Sequence, residues 1–179
     1  MSRIILLYST TDGHTQEICS FLRQLIEKSG DQVTVVSLDE YTKDKTVADL
    51  ESFGKIVVGA SIRYGKHNKK VYSFIKENLP LLNKKPNAFF SVNAVARKAE
   101  KAQPHTNPYL QKFLQQIEWQ PKELAVFAGK LDYQKCGPLD RMMIRFIMWM
   151  TKGPTDPNTN VEFTDWGKVE EFALVIHDM

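Results

Sequence analysis

The sequence predicts an α/β fold: a doubly wound, five-stranded parallel sheet flanked by helices, with a helical segment inserted after the fifth strand. Two observations lead there. Five apolar runs of strand length are separated by stretches long enough to cross back over a sheet, most of them amphipathic, and such alternation requires right-handed crossovers. The first run, RIILLY at 3–8, is apolar without interruption, as a strand covered on both faces must be. With 179 residues and 42% hydrophobic content the chain can bury one sizeable core. The expected organisation is one domain over 1–179 with an insert at about 129–160.

After strand 3–8, Ile18, Phe21, Leu22, Leu25 and Ile26 recur at three- and four-residue spacing, predicting a helix from Thr15 to Ser29 with Gly30 as its stop signal. Strands follow at 32–37 (QVTVVS) and 55–60 (KIVVGA), then a helix over 68–79 ended by Pro80. Strand 87–92 (NAFFSV) leads to a helix over 107–117. Thr106-Asn107-Pro108 supplies its cap and first turn, and Leu110, Phe113, Leu114 and Ile117 form its sheet-facing side. Strand 123–128 (ELAVFA) is the fifth. Thr164-Asp165 opens a last helix carrying Trp166, Val169, Phe172, Ala173 and Ile176.

Composition narrows the class. A formal charge of +3, from 24 basic and 21 acidic residues, is too balanced to argue for nucleic acid. Cys19 and Cys136 offer neither metal-ligand spacing nor a disulfide framework, so no metal and a reducing cytoplasm are expected. The opening MSRIILLYST is too short in apolar residues for a signal peptide, and no run reaches the roughly 18 apolar residues of a membrane span.

The stretch LLYSTTDGHTQEI leaves a buried strand, passes six small or hydroxylated residues and enters a helix. A helix N-terminus has unpaired N–H groups and the positive end of the dipole, so it suits phosphate. Thr10 and Thr15 can donate hydroxyls, Gly13 permits close backbone approach, and N–H groups from Thr11 to Thr15 can converge. Neither GxGxxG nor GxxxxGK[ST] is present, which argues against dinucleotides and nucleoside triphosphates. A capped turn would use the same residue types.

With Tyr8, Thr10, Gly13 and Thr15, the crossing resembles the phosphate loop of flavodoxins, which binds FMN. Asp12 departs from the Thr common there, and its charge opposes phosphate unless the side chain points away. The resemblance implies strand order 2-1-3-4-5 and FMN at the carboxyl ends of the strands, beside the switch point. It implies contacts from Ser9, Thr10, Thr11, Asp12, Gly13, His14 and Thr15, from Ser61, Ile62, Arg63, Tyr64 and Gly65, and from Ser91, Val92 and Asn93. Tyr64 is expected against the isoalloxazine ring and backbone N–H groups near Asn93 at its polar edge.

GASIRYG, SVNAVARK, AVFAGKLDY, DRMMIRFIM and TDW, in that order, make the chain from about Ile4 to Phe172 resemble one family of this fold, the menaquinone-dependent protoporphyrinogen IX dehydrogenases of bacterial haem synthesis. The phosphate loop STTDGHT keeps that family's Asp-Gly pair. The resemblance implies FMN, protoporphyrinogen IX as substrate, menaquinone or another quinone as acceptor, and peripheral attachment to the cytoplasmic face of the inner membrane. Arg63, Arg97 and Lys98 are expected to meet the substrate's propionates, with Arg141 and Arg145 as further candidates. His14, His67, His105 and His177 read as surface residues rather than catalysts, and no catalytic base is assigned.

The inserted segment Leu139 to Lys152 reads as a helix. At about 100° per residue Arg145 and Lys152 fall within about 40° of Arg141, and Met142, Met143, Phe146, Ile147, Met148 and Met150 fill most of the rest. A basic stripe beside a broad apolar surface suits a membrane surface, contacted through about Leu139–Met150, or a greasy substrate. A helix packed on the sheet edge with only the stripe exposed is the plainer expectation. Two other functions use the same fold: an electron-carrier flavodoxin, disfavoured by the basic rim, and an NAD(P)H-dependent quinone reductase. A response-regulator receiver lacks support, because Asp12 stands alone and Ser61 follows the third strand.

Overall fold

The computed structural model describes residues 1–179. Strands β1 (Arg3–Ser9), β2 (Gln32–Ser37), β3 (Lys55–Ser61), β4 (Asn87–Asn93) and β5 (Glu123–Ala128) form one parallel sheet in the order β2-β1-β3-β4-β5. β1 lies between β2 and β3, pairing Leu6 with Val35 on one side and Val57 on the other. That central place is why Ile4 through Leu7 are wholly buried.

Each face has its own core. Helix α1 (His14–Lys28) and the last helix α6 (Trp166–Asp178) cover one, where Ile18, Leu22, Val169 and Phe172 meet Ile4, Leu6, Val57 and Phe90. On the other face α2 (Leu38–Lys43), α3 (Lys69–Lys84) and α4 (Pro108–Gln116) bring Tyr41, Phe74, Leu110 and Phe113 onto Ile5, Leu7, Val58 and Phe89. Gly59 in β3 pairs with Phe90 in β4, and a Cβ there would sit 2.1 Å from the Phe90 ring. Gly30 (φ 96) follows α1 as its sequence predicts.

Helix α3 corrects the expectation at Pro80: it runs on to Lys84. Proline removes only the bond to the carbonyl of Lys76, and both residues face solvent, where water can replace it. Continuing the helix buries Leu82 completely. The inserted segment is richer than one helix. A short antiparallel pair, β6 (Lys130–Asp132) with β7 (Asn160–Glu162), frames α5 (Pro138–Met150). Tyr133, fully buried at the base of this segment, donates its hydroxyl to the Pro154 carbonyl at 2.7 Å. No helix is long and apolar enough to cross a membrane.

The wheel expectation for α5 needs correction in its handling of the basic stripe. Arg141 donates from Nε to the Tyr133 carbonyl (3.0 Å) and Arg145 to that of Thr155 (2.8 Å), so both tie the segment together. Met148 is buried, Ile144 and Ile147 are half-buried, and Leu139, Met142, Met143, Phe146, Trp149 and Met150 are exposed, Trp149 at 69%. The helix therefore turns an apolar face outward, contrary to the plainer expectation.

Candidate functional site

The carboxyl ends of β1, β3 and β4 converge on a cleft with about 960 Å³ of free space open to solvent. Its walls include Thr10, Thr11, Asp12, His14 and Thr15 after β1, Ser61, Ile62, Arg63, Tyr64 and Gly65 after β3, and Val92, Asn93, Ala94, Val95 and Arg97 after β4. Ser9, Gly13, Ser91, Lys98, Arg141 and Arg145, also expected at the site, do not line it.

The first loop is built to receive an anion. Thr10 Oγ1 accepts the Gly13 N–H at 2.9 Å and shapes the turn, while Gly13 takes the left-handed conformation (φ 86) that a side chain would oppose. No side chain caps the N-terminus of α1. At the second position of α1, Thr15 is fully buried and its hydroxyl oxygen has no hydrogen-bond partner. An unpaired buried hydroxyl costs about 1–3 kcal/mol, so its retention at an uncapped helix start facing the cleft fits a phosphate-bearing ligand. Asp12 does not spoil the cradle, because its carboxylate meets Arg63 Nη1 at 3.3 Å.

Arg63 and Lys66 exchange backbone hydrogen bonds (2.9 and 3.1 Å), and Tyr64 (φ 51) and Gly65 (φ 76) between them are both left-handed. That is the geometry of a type I′ turn, strained by about 1–2 kcal/mol at the non-glycine position. It stands the Tyr64 ring out at 46% exposure, 5.7 Å from the Arg63 guanidinium carbon.

Two histidines expected at the surface are buried. His14 is 7% exposed; its Nε2 meets the Thr164 hydroxyl at 2.6 Å and its Nδ1 the Glu17 carboxylate at 2.9 Å. Thr164 in turn donates its hydroxyl to the Ala128 carbonyl (2.7 Å). His67, 4% exposed, lies edge-on to Phe89 and Phe113. Its Nδ1 donates to the Ser61 carbonyl (3.2 Å), leaving Nε2 to accept from Ser91, 3.4 Å away. Burial pushes its pKa down to about 4, with the Ser61 bond opposing. Both were invisible to composition, since only packing decides whether a histidine on a polar stretch is covered.

The Asn93 amide is taken up by protein partners. It exchanges hydrogen bonds with Asn107 (3.3 and 3.1 Å) and accepts the Ala96 N–H (3.1 Å), while Asn107 caps α4 through the Leu110 N–H. Sequence reasoning placed Asn107 at a helix start but missed this tie to the β4 loop. Arg97 lines the cleft, yet its terminal nitrogens donate to the carbonyls of Ala94 (2.8 Å) and Thr151 (3.0 Å). It thereby anchors the end of α5 beneath Gly153, where a Cβ would lie 2.8 Å from the guanidinium.

The inserted segment supplies the remaining wall: Gly129, Lys130, Leu131, Ile144, Ile147, Met148, Thr151 and Phe163, with Tyr109 from α4. The sequence offered helical periodicity there but no sign of which apolar positions face inward. The result is a phosphate cradle at one end, an aromatic turn and backbone edge in the middle, and an apolar roof.

Residues 5–158 match the flavodoxin domain family. The chain is 41% identical over 174 residues to the protoporphyrinogen IX dehydrogenase [quinone] of Escherichia coli (strain K12), covering 97% of this chain and 94% of that protein. It is 41% identical to the enzyme of the same name from Leishmania major, covering 96% and 73%. A flavodoxin from the domain Archaea superposes with a TM-score of 0.51 at 16% identity, covering 98% of this chain and 96% of that one, a likeness of fold.

Proposed function

The chain belongs to the flavodoxin-domain family and, within it, to the quinone-dependent protoporphyrinogen IX dehydrogenases, and from that premise we propose how its cleft works. It is an FMN-dependent oxidoreductase that converts protoporphyrinogen IX to protoporphyrin IX in haem biosynthesis, passing electrons to a quinone. The observation that carries this reading is the joining of the orphaned Thr15 hydroxyl, at an uncapped helix start, to a roof made by Ile144, Ile147 and Met148. An electron carrier needs the first and has no use for the second.

FMN supplies two-electron acceptance, so the six-electron oxidation takes three rounds. Thr10, Thr15 and the first N–H groups of α1 would hold its phosphate, with Tyr64 and the backbone at Asn93 available to its ring. Arg63 at the cleft rim takes a propionate, since a guanidinium binds carboxylate through two parallel hydrogen bonds. Arg97 braces the roof above it. His14, the histidine in the cleft wall, has both ring nitrogens engaged, so the protein's contribution to hydride transfer would be orientation of the substrate. The acceptor is menaquinone or a similar respiratory quinone. The outward apolar face of α5 rests on the cytoplasmic face of the membrane, where both partners are concentrated.

The deciding experiment supplies purified, FMN-loaded protein with protoporphyrinogen IX and a menaquinone analogue under anaerobic conditions and follows porphyrin fluorescence. Quinone-dependent porphyrin formation is expected, with negligible flavin bleaching by NAD(P)H. Rapid bleaching by NAD(P)H with no porphyrin formed would make the protein a quinone reductase instead.

A further inference from the structure

The first turn of α5 reaches across the cleft to the loop after β3. Asp140 there accepts from Arg63 Nη2 at 3.2 Å and from the Tyr64 hydroxyl. The same guanidinium meets Asp12 through Nη1 at 3.3 Å. One cation thus serves two carboxylates, and the three side chains together carry one net negative charge. The Arg63 side chain is only 25% exposed, so the N–H groups it still has free are largely covered. A carboxylate arriving from solvent would find both terminal nitrogens engaged and meet like charge beside them. A two-bond grip on that carboxylate opens when one of the two internal partners yields.

Asp140 is the one placed to do so. Asp12 sits next to Gly13 in the turn that Thr10 braces, whereas Asp140 lies in the first turn of a helix that begins at Gly137-Pro138 with no side-chain cap. Its side chain is 40% exposed and that of Asp12 is 45%, so release to water costs little for either, and the braced turn at Asp12 makes the difference. We propose that Asp140 is an internal occupant of the carboxylate subsite on Arg63, displaced when a propionate of the substrate binds, and thereby sets how strongly the cleft favours carboxylate-bearing over esterified tetrapyrroles. Tyr64 shares the acceptor, so displacement also frees the ring that stands at the cleft mouth.

The inference rests on the proposed dehydrogenase reading for its substrate and on Arg63 and Asp140 for its geometry, and the two are separable. FMN-loaded wild type, Asp140→Asn and Arg63→Gln are titrated with protoporphyrin IX and with its dimethyl ester, followed by porphyrin fluorescence. The asparagine keeps an acceptor for Tyr64 and removes the competing charge. Asp140→Asn is expected to bind the free acid about two- to fivefold more tightly, the span a partly exposed ion pair allows, and the ester unchanged. Arg63→Gln should erase the difference between acid and ester. Free-acid binding that Asp140→Asn leaves unchanged or weakens, or an equal gain for acid and ester, overturns the proposal. Where wild type binds neither porphyrin, the substrate reading has failed and sodium propionate alone decides. The Arg63 side-chain N–H resonances should then shift at several-fold lower propionate in Asp140→Asn, and equal midpoints overturn the subsite.

Discussion

Thr15 compresses the relation between stability and binding into one oxygen. Its hydroxyl is buried without a partner, so the free protein bears a cost that ligand binding removes. Valine has nearly the same shape and no hydroxyl. Thr15→Val should therefore leave the FMN-free protein as stable as wild type or about 1 kcal/mol more stable, while weakening FMN binding by the roughly 1.5–3 kcal/mol of a charge-assisted hydrogen bond. Thermal melts of the apoprotein beside a flavin-fluorescence titration test both signs. A structural threonine would give the reverse, lower stability with unchanged affinity. Much of this residue's setting was legible, because a hydroxyl after Asp-Gly at a strand-to-helix crossing is a local signal. The ion pair from Asp12 to Arg63 was not, because 51 residues separate them and only the fold brings β1 and β3 together.

Elements were legible in proportion to their length and regularity. The five strands and five longer helices declare themselves by apolar period, whereas α2 is six residues long and β6 and β7 three each, too short for any period to register. Pro80 misled because a proline's cost depends on whether the carbonyl it leaves faces water, a tertiary fact. His67 illustrates an element-scale tie that only packing creates: it bonds the end of β3 to β4 while wedged against α4. Its pKa is about 4 when folded and near 6.5 when unfolded, so between these values the unfolded chain binds the extra proton. Stability from this group is complete above about pH 6.5 and is lost as pH falls toward 4, on the order of 2–3 kcal/mol in all. His67→Gln retains a donor for the Ser61 carbonyl and cannot titrate. Urea unfolding at pH 7 and pH 4.5 should show wild type losing more stability than the variant by about that amount, and parallel losses would mean His67 is not buried neutral.

At the scale of the whole molecule, α5 presents two different faces. Ile144, Ile147 and Met148 roof the cleft, while Phe146, Trp149, Met142 and Leu139 meet solvent. A helix is about 10–12 Å across, and an interfacial helix sinks about 5–10 Å. In the proposed membrane seating the outer face would lie among acyl chains and the cleft mouth at the headgroups, the depth at which a flat tetrapyrrole keeps its carboxylates wet and a quinone its ring. Arg141 and Arg145 are poor probes of this arrangement, because reversing their charge would break their bonds to the Tyr133 and Thr155 carbonyls. Phe146 and Trp149 are better, being 53% and 69% exposed. Phe146→Glu with Trp149→Glu should leave FMN content, thermal stability and turnover with a short-chain, water-soluble quinone near wild type. Removing two large apolar side chains from a lipid contact forfeits about 3 kcal/mol or more, so vesicle binding should fall by about a hundredfold or more. Turnover with quinone dissolved in those vesicles should fall with it. Co-sedimentation with vesicles and the two quinone assays, run on one preparation, separate the cases. Undiminished vesicle binding by the double variant would move the membrane contact elsewhere, and loss of FMN would make the outer face part of the fold.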